Sequence, residues 1–246
     1  MASVRIVGVP LPGGPVLVDR EVGHGEDPAF LFRREGFAVR RLISVKGRLP
    51  DIVVTVQVAR RRDWPVRLPR RRLRRPGLGA VDVTATPPPQ RQRPAAYVIA
   101  LSSSGLLATQ FSERTAVPGL WGLPGGGIQD GELAAEAAVR EVMEETSQAI
   151  ELQRVLDIQS DHWVGQAADG ELEDFHALRL IYVAEVPEPT EPTVEDAGGT
   201  TAAARWVPLN RWRHVHWSLG FRAILSRHLD LVIKARSVAL RRPPLA

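Results

Sequence analysis

The chain has 246 residues, 44% of them hydrophobic, a formal net charge of +4 and no cysteine. That is enough apolar material for one large domain or a domain with a sizeable extension. The absence of thiols excludes disulfides, thiolate metal sites and cysteine nucleophiles, and no run approaches the ~18 apolar residues of a membrane span. The first residues lack a basic segment followed by an apolar core, so the expectation is a soluble, unprocessed, cytoplasmic protein.

Residues 1–59 carry short β-like runs at 4–7, 16–18, 37–45 and 52–58, rich in branched residues and separated by Gly and Pro. They read as a β-rich region of unassigned fold. Residues 60–94 are dense in Arg and Pro. Pro65 and Pro69 argue against a continuous helix, so this stretch reads as a linker or an arm. Trp64 and the run from Arg70 to Arg75 raise a second reading, contact with nucleic-acid phosphates. Pro87, Pro88 and Pro89 mark a boundary, and a domain is expected over 95–228, followed by a tail at 229–246.

Within that domain, 96–101 and 106–111 read as strands around a short turn. A glycine-rich turn at 125–127 then precedes an amphipathic helix. Asp130 is its expected N-cap, and Leu133, Ala134, Ala137, Ala138 and Val142 form a small-residue face. Strands are expected at 152–158 and 175–184, with a polar loop over 161–174 between them and an acidic loop at 187–199. A short strand at 204–207 follows. Asn210 is expected to cap a helix running through Trp212, Val215 and Leu219, with Gly220 interrupting it before 223–231. This order of elements indicates a mixed α and β fold.

The helix concentrates chemistry at its far end. Glu141, Glu144 and Glu145 fall three and four apart, so their carboxylates share a face, at the helix end that disfavours anions. A hard divalent cation would offset their repulsion, and magnesium accepts carboxylate and phosphate oxygens together. The alternative is a solvated helix with surface pairs, such as Glu136 with Arg140.

The spacing is more specific than the charge. Gly126, five residues, Glu132, seven residues and then Arg140-Glu141-Val142-Met143-Glu144-Glu145 resembles the signature of the Nudix hydrolases, G-x5-E-x7-R-E-U-x-E-E-x-G-U with U apolar. Ser147 and Gln148 stand where the pattern ends in Gly and an apolar residue. The resemblance implies an α/β/α sandwich with a mixed sheet. It also implies a Mg2+-dependent hydrolase, with Mn2+ as the alternative ion, that cleaves the diphosphate bond of a nucleoside diphosphate linked to another moiety.

On that resemblance Gly126, Glu141, Glu144 and Glu145 are the metal set, with Glu141 or Glu144 as general base. Arg140 orients the carboxylates by bridging Glu132 and a helix glutamate. The substrate stays open. A nucleotide-sensing or nucleic-acid-binding regulator on the same fold is the rival reading, and the region before residue 95 has a further one in dimerisation. Outside the signature, Glu171, Glu173, Asp174, Glu195 and Asp196 are candidate metal contacts, and Trp163, Phe175, His176 and Trp206 candidate base-stacking groups. His162, His176, His214 and His216 lack the paired spacing of a helix-borne zinc motif.

Overall fold

The computed structural model describes residues 3–61, 87–166, 171–195 and 199–240. Near the N-terminus, β1 (Ser3–Val9), β2 (Val18–Glu21), β3 (Phe37–Lys46) and β4 (Asp51–Arg60) form a four-stranded sheet in the order β2-β1-β4-β3. β1 runs parallel to β4, and the other two pairings are antiparallel. Alternation explains which face is covered: Ile52, Val54, Val56 and Val58 are buried along β4, while the residues between them are partly open.

A helix absent from the sequence reading, α1 (Pro28–Arg34), lies between β2 and β3. Asp27 caps it by accepting from the Ala29 amide at 2.9 Å, and Pro28 follows at the first turn.

A seven-stranded sheet is built from β5 (Gln90–Ser102), β6 (Gly105–Phe111), β7 (Trp121–Gly122), β8 (Gly125–Gly127), β9 (Glu151–Gln166), β10 (Leu172–Glu185) and β11 (Thr201–Val207). Its order is β11-β6-β5-β10-β9, with β7 on β6 and β8 on β5. Two helices accompany it, α2 (Ala134–Thr146) and α3 (Leu219–Leu240). The fold is therefore of the α/β class with a β-rich N-terminal region. Among the described residues no helix is long and apolar enough to cross a membrane.

The chain divides into two compact units. One comprises Met1–Tyr97, Gly125–Glu141 and Leu152–Tyr182; the other comprises Val98–Pro124, Val142–Glu151 and Val183–Ala246. In the first, the turn between β3 and β4 lies on the loop that leads into α2. Leu49 donates to the Glu132 carbonyl at 3.1 Å and accepts from the Gly131 amide at 2.8 Å. Arg48 reaches the Gly131 carbonyl at 2.7 Å and forks onto Glu136 at 2.7 and 3.0 Å. In the second, Phe221 of α3 stacks on Phe111 of β6 with ring centroids 6.3 Å apart. The stripe Phe221, Ile224, Leu225, Leu229 and Val232 is buried at helical spacing.

Several expectations need correction. Asp130 is not the N-cap of α2, which begins at Ala134. Instead Glu136 reaches back to the Leu133 amide at 3.0 Å, the glutamate half of a capping box. The expected loop at 161–174 is largely strand, since β9 runs to Gln166 and β10 starts at Leu172. No helix runs from Asn210 through Leu219; only a single 3-10 turn forms, Trp212–His214. Trp121 holds the next residues extended, donating to the His216 carbonyl and accepting from the Ser218 amide, both at 2.9 Å. Gly220 does not interrupt α3, because it sits in the first turn, where amides have no intrahelical partner in any case. The arginine run at 70–75, Trp64 and Asp196 lie outside the described residues.

Candidate active site

The loop before α2 is shaped by backbone that only glycine permits. A Cβ at Gly126 would lie 2.4 Å from one oxygen of Glu141 and 2.6 Å from the other. The Glu141 carboxylate thus lies directly against the Gly126 main chain, which brings together two of the oxygen-bearing groups expected from the sequence.

Arg140 holds this arrangement. Its Nε and Nη2 fork onto the two oxygens of Glu132 at 2.8 and 3.0 Å, Nη1 donates to Glu141 at 2.9 Å, and Nη2 also reaches the Gly127 carbonyl at 3.1 Å. One planar guanidinium so ties loop to helix with a geometry a lysine cannot reproduce. The side chains are 23%, 14% and 16% exposed for Arg140, Glu132 and Glu141. The hydrogen bonds from Arg140, opposed by burial, hold Glu132 below the usual carboxylate range, and the same contacts raise the guanidinium further above neutrality. At physiological pH Glu132 and Arg140 are therefore both ionised.

In the second unit, Glu145 is buried and its carboxylate accepts the Thr201 hydroxyl of β11. Glu144 is exposed on the last turns of α2, and its carbonyl accepts from the Glu195 amide at 3.0 Å. Ser147 adopts φ 53°, the left-handed conformation usual for glycine just past a helix C-terminus. Its amide donates to the Met143 carbonyl at 2.8 Å, so the terminating turn forms with serine in the glycine position.

The serine hydroxyl adds what glycine could not. It donates to the Thr193 carbonyl at 3.0 Å and lies 3.1 Å from a Glu195 oxygen. Gln148, also a departure from the signature, is buried and exchanges hydrogen bonds with Thr190 at 2.8 and 3.0 Å. The two departures fasten the acidic loop, with Glu195 on it, to the end of the helix.

The carboxylates on α2 offer oxygen ligands, the chemistry that suits magnesium or manganese. Of the other candidates, Trp163 and Phe175 pack together with ring centroids 4.7 Å apart. The Trp206 indole donates to the Thr190 carbonyl at 2.7 Å, which commits its polar edge to the same loop. His176 is wholly buried. Arg48 and Leu49 in the first unit, and Thr201 in the second, contact residues of the signature without having been anticipated, since each arrives from a sequence-remote strand or turn.

A family model described as the NUDIX domain matches residues 91–223. Among curated proteins, a nucleoside triphosphatase NudI of Enterobacter sp. (strain 638) is 34% identical over 87 residues, covering 35% of this chain and 62% of the relative. A nucleoside triphosphatase NudI of Salmonella heidelberg (strain SL476) is 34% identical over 79 residues, covering 31% and 56%. The chain thus spans less than two thirds of either relative's length. Among solved structures, a MutT protein from Methanosarcina mazei Go1 aligns at 17% identity and a TM-score of 0.44, over 57% of this chain and 93% of that one. A MutT NUDIX hydrolase from Burkholderia pseudomallei aligns at 23% and 0.41, over 56% and 98%.

Proposed function

Because the chain belongs to the NUDIX family, we propose that it is a magnesium-dependent hydrolase of diphosphate linkages, acting on a nucleoside diphosphate joined to another group. The observation that carries this reading is the Arg140 fork, which ties Glu132 and Glu141 together beside the glycine turn as a pre-formed cluster. Gly126, Glu141, Glu144 and Glu145 would hold the cation. When bound, it neutralises phosphoryl oxygens and acidifies a coordinated water.

The protein's own share is orientation and proton acceptance. Arg140 keeps the Glu141 carboxylate turned toward the glycine turn and so acts as a positioning residue. Glu144, exposed near the C-terminal end of α2, is the group we assign to accept a proton from the attacking water. Thr201 and the loop bearing Glu195 restrain the same end of the helix from the strand and loop that follow. The name carried by the curated relatives puts nucleoside triphosphates at the head of a substrate panel, followed by nucleotide sugars, dinucleotides and coenzyme derivatives.

The test is phosphate or nucleotide release from that panel, with and without magnesium, for the parent and Glu144→Gln. Magnesium-dependent turnover in the parent that falls about a hundredfold or more in the variant is expected. Equal turnover removes Glu144 from the mechanism, and no turnover across the panel moves the weight to a nucleotide-binding regulator.

A further inference from the structure

A second group of potential ligands lies in the first unit and uses none of the α2 carboxylates. His24, between β2 and α1, His162 on β9 and Asp174 on β10 turn their ring nitrogens and carboxylate oxygen toward one another, with all three atoms within 4.8 Å. The side chains are only 16%, 14% and 17% exposed.

Local structure explains the convergence. The Glu26 amide donates to the Gly23 carbonyl at 3.0 Å, closing a tight turn in which Gly25 takes φ 73° and His24 is carried at the bend. A Cβ on Gly25 would lie 3.0 Å from the His162 ring, so the turn seats directly on that imidazole. β9 and β10 are neighbours in the sheet, and Asp174 and His176, two apart, share one of its faces.

His176 closes the group and is committed elsewhere. Its Nδ1 accepts from the Gly25 amide at 3.0 Å and its Nε2 lies 2.9 Å from the Ser160 hydroxyl. Its ring meets those of His24 and His162 edge-on at 5.6 and 6.0 Å.

Hydrogen bonding alone does not account for the arrangement. His162 Nε2 contacts Asp174 Oδ1. His24 Nε2 lies 3.1 Å from that same oxygen, within ion-pair reach, yet this buried nitrogen makes no well-formed hydrogen bond. A buried imidazole nitrogen left in this way is costly unless something else takes its lone pair.

Two imidazoles and one carboxylate suit a first-row divalent metal. With bonds of about 2.0–2.1 Å to nitrogen, tetrahedral ligands stand about 3.3 Å apart; His24 and Asp174 are near that spacing, and His162, in direct contact with Asp174, would draw back from it to admit the ion. We propose that His24, His162 and Asp174 form a site for such a metal, zinc in the first instance, distinct in donor type from the all-oxygen set on α2. Its consequence is structural: the ion ties the turn before α1 to the β9–β10 pair.

The test uses the full chain, stripped with chelator and then dialysed against micromolar zinc in a millimolar magnesium excess that occupies oxygen-only sites. Zinc per chain is read by elemental analysis. About one retained zinc is expected for the parent and for Glu144→Gln, falling toward zero in His24→Ala. Far-UV circular dichroism checks each fold. Should His24→Ala not fold, the near-isosteric Asp174→Asn takes its place, with zinc affinity expected to fall at least about tenfold. A parent that retains no zinc, or a folded His24→Ala or Asp174→Asn that holds zinc as the parent does, overturns the proposal.

Discussion

Replacing Arg140 with alanine removes its hydrogen bonds to Glu132, Glu141 and the Gly127 carbonyl and leaves Glu132 and Glu141 without that cation. Stranding one side of a fully buried pair costs about 3–5 kcal/mol. Here the guanidinium is 23% exposed and its partners 14% and 16%, so water softens the loss to about 2–3 kcal/mol. With a urea slope of about 2–3 kcal/mol/M, the unfolding midpoint should fall by about 1 M at neutral pH. Arg140→Lys, which keeps the charge without the fork, should recover only part of it.

The pH dependence adds a sign that can be checked. Arg140 holds Glu132 below its ordinary range, so native Glu132 binds fewer protons than the unfolded chain near pH 4. Its contribution is complete above the unfolded value of about 4.3 and is lost as pH falls through the lower native value. The gap between parent and Arg140→Ala should therefore hold near neutral pH and narrow as pH falls below about 4.3. A midpoint change under about 0.2 M, or a gap that stays constant as pH falls below that value, refutes the clamp as a source of stability.

Three further outcomes follow from the geometry. Gly126→Ala places a methyl carbon against the Glu141 carboxylate and should lower kcat by about a hundredfold with the fold intact by circular dichroism; near-parental turnover would show that the close approach is dispensable. Arg48→Ala frees the Gly131 carbonyl and Glu136 and should reduce turnover by about tenfold or less, seen in kcat more than in KM. Ser147→Gly relieves the left-handed serine by about 1 kcal/mol but loses the hydroxyl bonds to the acidic loop, so stability should change by under about 1 kcal/mol. Faster hydrogen exchange at the Thr193 and Glu195 amides is its expected signature, and unchanged protection would contradict the fastening role.

Local features were legible where period and spacing were strong. The alternation along β4, the pair β5 and β6, and the α2 glutamates each announced themselves within a dozen residues. Asp27-Pro28 was a readable helix start, but α1 has seven residues, too few for the apolar period to show. The end of β9 hid because residues 161–164 are only partly buried, so no apolar alternation marks them. The helix expected at 210–219 failed for a non-local reason: main-chain bonds from Trp121 to His216 and Ser218 hold its last residues in an extended form. His24 could not be paired with His162 and Asp174 from sequence, since no motif spacing connects a turn to a strand pair more than a hundred positions away.

The seam between Leu49 and the residues before α2 sets a condition on how this protein can be cut. A fragment beginning near residue 91, where the family match starts, would contain every acidic group of the signature yet discard the chain that occupies the Gly131 amide and the Glu132 carbonyl. Solvent would take over those two groups, and Glu132, one anchor of the guanidinium, would gain backbone freedom. Poor catalysis by such a fragment would then report a missing splint rather than a missing catalyst.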